Sequence, residues 1–433
     1  MRRHWNRFYS RAREVFFGPP YHAADHAALS PRGSARGIRL VLIVSGTLWL
    51  SLVLVDNLVR PWQRRPKSWQ FFQGPRELNA SPNQSRQRDF SRTSGDLGRD
   101  LGVAELARPY SAAEDSTPVY LETDEQGFRT VLSQAPFTAV LCGDSFSDNN
   151  SFADSLARAT GLSVGNQAIE GRGTLSLARF LEDRPAPYQQ AKFVIWESTQ
   201  RANIEEFKNL FERRKQLRLS NQHRWQWRHS LLWPANIDLY LGGSSVLKPL
   251  LDKVQKEVKW ALLKKHTDLI IMGRRDLPTG VAPMLFLGSD EAIRPRETSQ
   301  PELDSIAAYI ALIDKELKGR GQQLIFTVAP EKSIIYPDRL PSGLTPRTNY
   351  ISGLNQALQQ HGVHVVDLSQ GLRQAAQAQP KTLYYYTADT HWTPKGMQVA
   401  SRIIADSLQQ WGFTPGGMHE RASQINSFPN AGK

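Results

Sequence analysis

Ser145 lies in the run Leu141-Cys142-Gly143-Asp144-Ser145-Phe146-Ser147, and far downstream Asp389 and His391 stand two positions apart in Asp389-Thr390-His391-Trp392. A serine hydroxyl is a weak nucleophile until a base takes its proton, and that base needs a third group to hold its tautomer. An Asp two residues before a His can be that third group in an extended turn, where alternate side chains share a face. Gly143-Asp144-Ser145 by itself is a weak signal, because a loop with an N-capping Asp or Ser accounts for it equally well. The ten histidines narrow the choice of base. His4, His22 and His26 precede a long apolar run, and His223, His229 and His266 fall in a basic stretch. His361 and His364 flank a helix end and a strand, and His419 sits in the C-terminal tail. Only His391 has an acid two residues before it, with Pro394 and Gly396 shaping the helix start that follows. The competing reading of His391 is a residue that caps or packs at that helix. Chemistry favours the first reading: acyl transfer through Ser145, with His391 as base and Asp389 orienting it.

Residues this far apart in the chain meet only if a regular scaffold brings them to one edge. From residue 130 onward short β-branched runs alternate with helical patterns. The runs at 137–142, 163–166, 193–197, 324–329 and 363–367 read as buried parallel strands, being short and apolar on both faces, with Gly or polar residues at their C-terminal ends. The clearest helix covers 303–320, with Leu303, Ile306, Ile310, Ile313 and Leu317 on one face and Gly321 as its stop. Such alternation predicts an α/β fold with a parallel sheet of about five strands covered on both sides. Ligands bind at the carboxyl ends of such strands. Three of the five end suggestively: in Gly143-Asp144-Ser145, in 166–171, and in Trp196-Glu197-Ser198-Thr199-Gln200-Arg201.

With those blocks in hand, a resemblance is plain. Gly143-Asp144-Ser145-Phe146-Ser147, then Asn166-Gln167-Ala168-Ile169-Glu170-Gly171, then Asp389-x-His391 resemble the blocks of the SGNH (GDSL-type) hydrolase superfamily over 137–411. The resemblance implies a three-layer flavodoxin-like sheet with Ser145 as nucleophile. It also implies an oxyanion hole made from the amides of Ser145 and Gly171 and an asparagine side chain. The third block departs: where that family has Gly-x-Asn-Asp, this chain has Glu197-Ser198-Thr199-Gln200-Arg201. Thr199, Gln200 or Arg201 could stand in as the missing donor, or Arg201 could simply pair with Glu197. Asp144, Arg201 and Trp392 are the candidate substrate contacts. The stretches 328–337 and 389–396 are similar to the SGNH-like proteins of bacterial exopolysaccharide O-acetylation, the alginate type. In those proteins the Asp-x-His block precedes the serine block, whereas here the serine comes first, as in ordinary SGNH enzymes. This likeness implies a membrane-bound O-acyltransferase as acetyl donor and a polysaccharide as acceptor.

Location follows from the N-terminal third. Residues 40–55 form an almost unbroken apolar run that, extended to Ile38 and Leu58, reaches about the 20 residues needed to cross a bilayer core. Eight arginines precede it against Glu14 and Asp25, which favours a cytoplasmic N-terminus. A signal peptide or a core helix is the alternative, but a long arginine-rich lead without a small-x-small cleavage site disfavours the first, and missing polar punctuation the second. The expected organisation is a basic cytoplasmic segment (1–37), an anchor (38–58), a tether and lead-in (59–129), a catalytic domain (130–415) with a basic insertion at 205–300, and a flexible tail (416–433). The catalytic part then lies on the periplasmic side of an inner membrane, away from nucleic acid. The net charge of +13 invites an anionic partner such as lipid headgroups or polymer. Between Arg213 and Arg275 fourteen Lys/Arg face four acids, with Trp225, Trp227, Trp233 and Trp260 interleaved. A helix at 250–265 there reads as a lid packed on the domain, as an interfacial membrane helix, or as part of a polysaccharide groove. One cysteine, Cys142, excludes an intrachain disulfide and every cysteine-rich zinc pattern. No cofactor and no metal site is expected. The leading expectation is a membrane-anchored O-acetyltransferase; the alternatives are an acetylesterase with the same triad and an inactive polysaccharide-binding scaffold.

Overall fold

The computed structural model describes residues 85–89, 96–110, 118–122, 130–148, 152–169, 173–183, 186–220, 247–263, 270–288, 297–346 and 349–413. All but 247–249 belong to one compact unit. The expected anchor, the cytoplasmic segment, Gly171 and the tail lie outside the described residues. Among those described, no helix is long and apolar enough to cross a membrane.

In chain order, strand β1 (Ser85–Asp89) is followed by helices α1 (Asp96–Leu101) and α2 (Ala104–Ala107), then β2 (Pro118–Glu122) and β3 (Ala139–Cys142). Next come α3 (Ser145–Asp148), α4 (Phe152–Thr160), β4 (Val164–Asn166), α5 (Gly173–Asp183), β5 (Phe193–Thr199), α6 (Ile204–Ser220) and α7 (Leu247–Leu263). The chain continues through β6 (Ile270–Met272), β7 (Leu285–Leu287), α8 (Gln300–Gly319), β8 (Gln323–Ala329), α9 (Lys332–Ile335), α10 (Asn349–Gln360), β9 (His364–Val366), α11 (Leu368–Ala378) and α12 (Pro394–Gln410).

All five expected strands are present and form one sheet in the order β4-β3-β5-β8-β9. Every neighbouring pair is parallel. Counted within the sheet this is the doubly wound order 2-1-3-4-5, whose direction reverses between β3 and β5. Alternation along each strand sorts side chains to two cores. Ala139, Leu141, Ile195 and Ile325 join Phe152, Leu372 and Ile404 on one face. Val140, Val194, Trp196, Leu324 and Phe326 join Leu177, Phe207, Ile310 and Leu354 on the other. Helix α8 buries Leu303, Ile306, Ile310, Ile313 and Leu317 as its periodicity predicts, and Gly321 beyond it has φ +73°, which a side chain would strain.

Two expectations need correction. Part of the stretch read as a tether is packed structure: Leu97, Leu101, Val103, Leu106 and Tyr110 form a third core with Ile270, Leu285 and Ala388. Their partners lie more than 150 residues downstream, which no local pattern reveals. The helix in the basic insertion begins at Leu247, so Pro249 falls within its first turn. Its apolar stripe also faces away from the domain, with Val254 50% and Leu262 77% exposed. The helix docks instead through its other side, where the indole N–H of Trp260 donates to Glu105 at 3.2 Å. The helix therefore packs on the domain with its polar side inward and its apolar residues Val254, Val258 and Leu262 outward.

Candidate active site

The three residues singled out by spacing meet at the carboxyl edge of the sheet, where its order reverses. Ser145 follows β3 and opens α3. Asp389 and His391 sit on the loop between α11 and α12. This loop is a tight hairpin: Tyr385 and Trp392 form an antiparallel bridge, Tyr386 N–H donates to His391 O at 3.1 Å, and Thr393 N–H donates to Tyr384 O at 3.0 Å. Thr393 then caps α12 by accepting Gly396 N–H at 3.2 Å. A Cβ at position 396 would collide with the Tyr384 carbonyl, so the close approach of hairpin and helix requires glycine there.

Asp389 Oδ1 lies 2.5 Å from His391 Nδ1 and also accepts the His391 backbone N–H at 2.9 Å. An ionised carboxylate only accepts, so Nδ1 carries the ring proton and Nε2 is left with its lone pair. Nε2 is 2.8 Å from Ser145 Oγ. This is the geometry in which an imidazole takes a hydroxyl proton as the oxygen attacks. Asp389 and His391 are buried, which strengthens the line electrostatically, while Ser145 remains half-buried and reachable.

The hairpin is held by elements outside the sheet. Gly98 N–H of α1 donates to Ala388 O at 3.0 Å, and Leu285 N–H of β7 donates to Thr387 O at 2.8 Å. Lys332 is buried and its ammonium donates to Leu285 O at 2.9 Å and Thr387 O at 3.2 Å. None of these residues stands out from sequence spacing, because each acts through backbone groups of a distant segment.

The remaining candidates divide. Arg201 is 31% exposed at its side chain and pairs with Glu331 at 3.7 Å, not with Glu197. Its charge also favours ionised Asp144, whose carboxyl is otherwise raised by burial. Asp144 accepts Phe146 N–H at 3.0 Å, shaping the turn at the nucleophile. The Gln200 carboxamide oxygen accepts Glu331 N–H at 2.9 Å, which engages that side chain at the end of β8. Thr199 is buried at the end of β5. Trp392 does not offer a face to substrate: it is 1% exposed and packs edge-on against Phe146, Phe152 and Tyr385. Swinging it out would give up about 1.5–3 kcal/mol of burial. As the neighbour of His391 on an extended segment it points the opposite way, into the core.

Residues 71–200 and 284–428 match the family described as SGNH hydrolase-like domain, acetyltransferase AlgX. The chain belongs to that family. The two matched stretches of the AlgX-type domain contain Ser145 in the first and Asp389 and His391 in the second. Among curated relatives, the "Probable alginate O-acetylase AlgJ" of Pseudomonas fluorescens is 26% identical over 180 residues, which are 41% of this chain and 42% of that protein. The protein of the same name from Pseudomonas aeruginosa is 31% identical over 152 residues, 34% of this chain and 36% of the relative. The chain thus spans about two fifths of the length of the curated relatives it matches. An acetylxylan esterase from Geobacillus stearothermophilus aligns over 64% of this chain and 96% of its own, at 12% identity and a TM-score of 0.31, too low a score to build on. The match from residue 71 agrees with α1 and α2 being packed parts of the domain, ahead of the boundary expected at 130.

Proposed function

We propose that this protein transfers acetyl groups through Ser145 onto a hydroxyl of an extracytoplasmic polysaccharide. The observation that carries the reading is the unbroken hydrogen-bond line Asp389–His391–Ser145, at 2.5 and 2.8 Å. In the first half-reaction Ser145 Oγ attacks the acetyl carbonyl of a donor ester while His391 Nε2 takes the hydroxyl proton. The tetrahedral intermediate collapses, the donor oxygen leaves with that proton, and acetyl-Ser145 remains. In the second half a sugar hydroxyl gives its proton to His391 and attacks the acetyl group, and Ser145 regains its hydrogen as the ester departs. Asp389 holds the imidazole tautomer and stabilises the imidazolium in both halves. The amides of Ser145 and Gly171 supply the oxyanion donors in this scheme, with Gln200 or Thr199 completing the hole.

The family and the names of the curated relatives support acetyl as the group and an alginate-type polymer as the acceptor class. The apolar run at 40–55 after eight arginines supports a single-pass inner-membrane anchor with the domain outside, where a membrane-bound O-acyltransferase would present the acetyl group. Hydrolysis is the second reading, because a half-buried Ser145 is open to water as well as to a sugar hydroxyl.

The test is to incubate the full chain with an activated acetyl ester, with and without acidic polysaccharide, and to follow the acetyl group by mass spectrometry. Transfer predicts acetyl on the peptide containing Ser145, chased onto the glycan. Release to water alone decides for esterase, and an S145A protein that still turns over ester and acetylates glycan overturns both readings.

A further inference from the structure

The third sequence block departs from the family pattern at Glu197, and Glu197 is where the structure is most heavily invested in the nucleophile's turn. The side chain is 0% exposed. The β3–β5 register pairs Cys142 with Trp196, which sets Glu197 beside Gly143. One carboxyl oxygen, Oε2, accepts Ser147 Oγ–H at 2.8 Å and Asp144 N–H at 3.2 Å. Those two donors flank Ser145 on either side. Gly143 is part of the same arrangement, since a Cβ there would stand 2.6 Å from that Oε2. From the other side Asn166 Nδ2 donates to Ser147 O at 3.3 Å, and within the turn Ser147 N–H donates to Asp144 O at 3.1 Å.

Resting on the reading of Ser145 as nucleophile, we propose that Glu197 is its positioning residue: a buried carboxyl that ties residues 144 and 147 to β5 and so fixes where Ser145 Oγ meets His391. The clamp works with a neutral carboxyl. The charged and titratable groups facing Glu197 are Asp144 on the turn, Tyr385 on the hairpin and, through Asp144, His391, Arg201 and Glu206. Burial, and then the charge of Asp144, hold the Glu197 carboxyl well above the ordinary carboxylate range. Burial raises Asp144 too, and the Phe146 amide and the charge of Arg201 oppose that rise without cancelling it. Of the two, Glu197 is held the further above the ordinary carboxylate range, so the proton resides on Glu197. Ionising Glu197 would place two carboxylates against each other under the nucleophile, with no solvent to separate them.

The experiment measures kcat and KM for an acetyl ester from about pH 5 to 10 with the full chain as wild type, S145A, E197Q and E197L. Wild type should lose kcat at the alkaline end. Glutamine keeps an oxygen for both donors and cannot ionise, so E197Q should stay within about threefold of wild type and lack that alkaline fall. Leucine removes the acceptor, and displacement of the turn should lower kcat about 100-fold with little change in KM. If S145A abolishes turnover while E197L keeps the wild-type kcat, the positioning role is wrong and the nucleophile reading stands. If S145A retains turnover, the nucleophile reading itself fails. Should E197L not fold, E197Q decides: an alkaline fall unchanged from wild type overturns the proposal.

Discussion

A single oxygen of Asp389 meets both nitrogens that His391 presents to it, the backbone N–H at 2.9 Å and the ring Nδ1 at 2.5 Å. The first contact shapes the turn and the second sets the tautomer, so an isosteric change should separate fold from chemistry. In D389N the amide oxygen can still accept the backbone N–H, but it carries no charge to stabilise the imidazolium. We expect an unchanged melting temperature within a few degrees and a fall in kcat of about 10²–10⁴. Steady-state kinetics on an acetyl ester beside a thermal melt checks this, and a wild-type kcat in D389N would remove Asp389 from the mechanism.

Much of this site was legible because its signals are local. Buried parallel strands announce themselves as short apolar runs ending in Gly or polar residues, and the Asp389–His391 contact spans two positions. What was illegible depends on direction or on distant partners. Trp392 beside His391 reads equally as a sugar platform or a core residue until the hairpin is seen to turn it inward. Leu97 and Leu101 fall in a stretch whose polar composition reads as a tether until Leu285 and Ala388 are brought against them. Arg201 could be assigned a partner in its own strand, yet it reaches Glu331 at the end of the next one.

The raised carboxyl of Glu197 has a consequence for stability that is separate from activity. Its unfolded value is near 4.5 and its folded value lies well above. Between the two the folded state holds a proton that the unfolded state has released, so stability falls as pH rises. The contribution is complete below the unfolded value and is lost as pH climbs through the folded one. E197Q has no such dependence. Its melting temperature should therefore gain on that of wild type as pH rises from about 5 to 9 at constant ionic strength, and a constant difference would show that Glu197 is not held protonated.

Lys332 is the buried cation that joins β7 to the catalytic hairpin. Replacing it with methionine keeps the apolar stem but removes the ammonium donor from Leu285 O and leaves Thr387 O with the Leu285 N–H alone. One buried acceptor left without its donor costs about 1–3 kcal/mol. Because Thr387 is two residues from Asp389, K332M should also lower kcat under conditions where the protein remains folded. Denaturant titration reads the first effect and ester turnover the second; a loss of stability with no change in kcat would confine Lys332 to a purely structural role.

Cys142, the chain's one cysteine, immediately precedes the nucleophile's turn, yet burial pushes its thiol up to about 12. A neutral, enclosed thiol is a poor nucleophile. Native protein should therefore show no titratable thiol on the minutes timescale and keep its ester turnover after treatment with an alkylating reagent. One thiol should appear in denaturant. Rapid alkylation with loss of activity would mean that the end of β3 opens far enough to expose the sheet interior.

Gly143 offers the sharpest test of how the nucleophile's turn is packed. A Cβ there would stand 2.6 Å from Glu197 Oε2, and the other two of its three nearest atoms, Oγ and Cβ, both belong to Ser147. Alanine must therefore push Glu197 and Ser147 apart, breaking the hydrogen bond between them. Overpacking of this kind costs about 1–3 kcal/mol, and G143A should lose turnover along with stability. The clash can be separated from the backbone preference by removing its main contact. In G143A/S147G both Ser147 atoms are gone, so the double variant should be less destabilised than the sum of the two single changes, by about 1 kcal/mol in a double-mutant cycle. Simple additivity would place the cost of G143A in backbone conformation, and the contact with Ser147 would then not be the reason for glycine at this position.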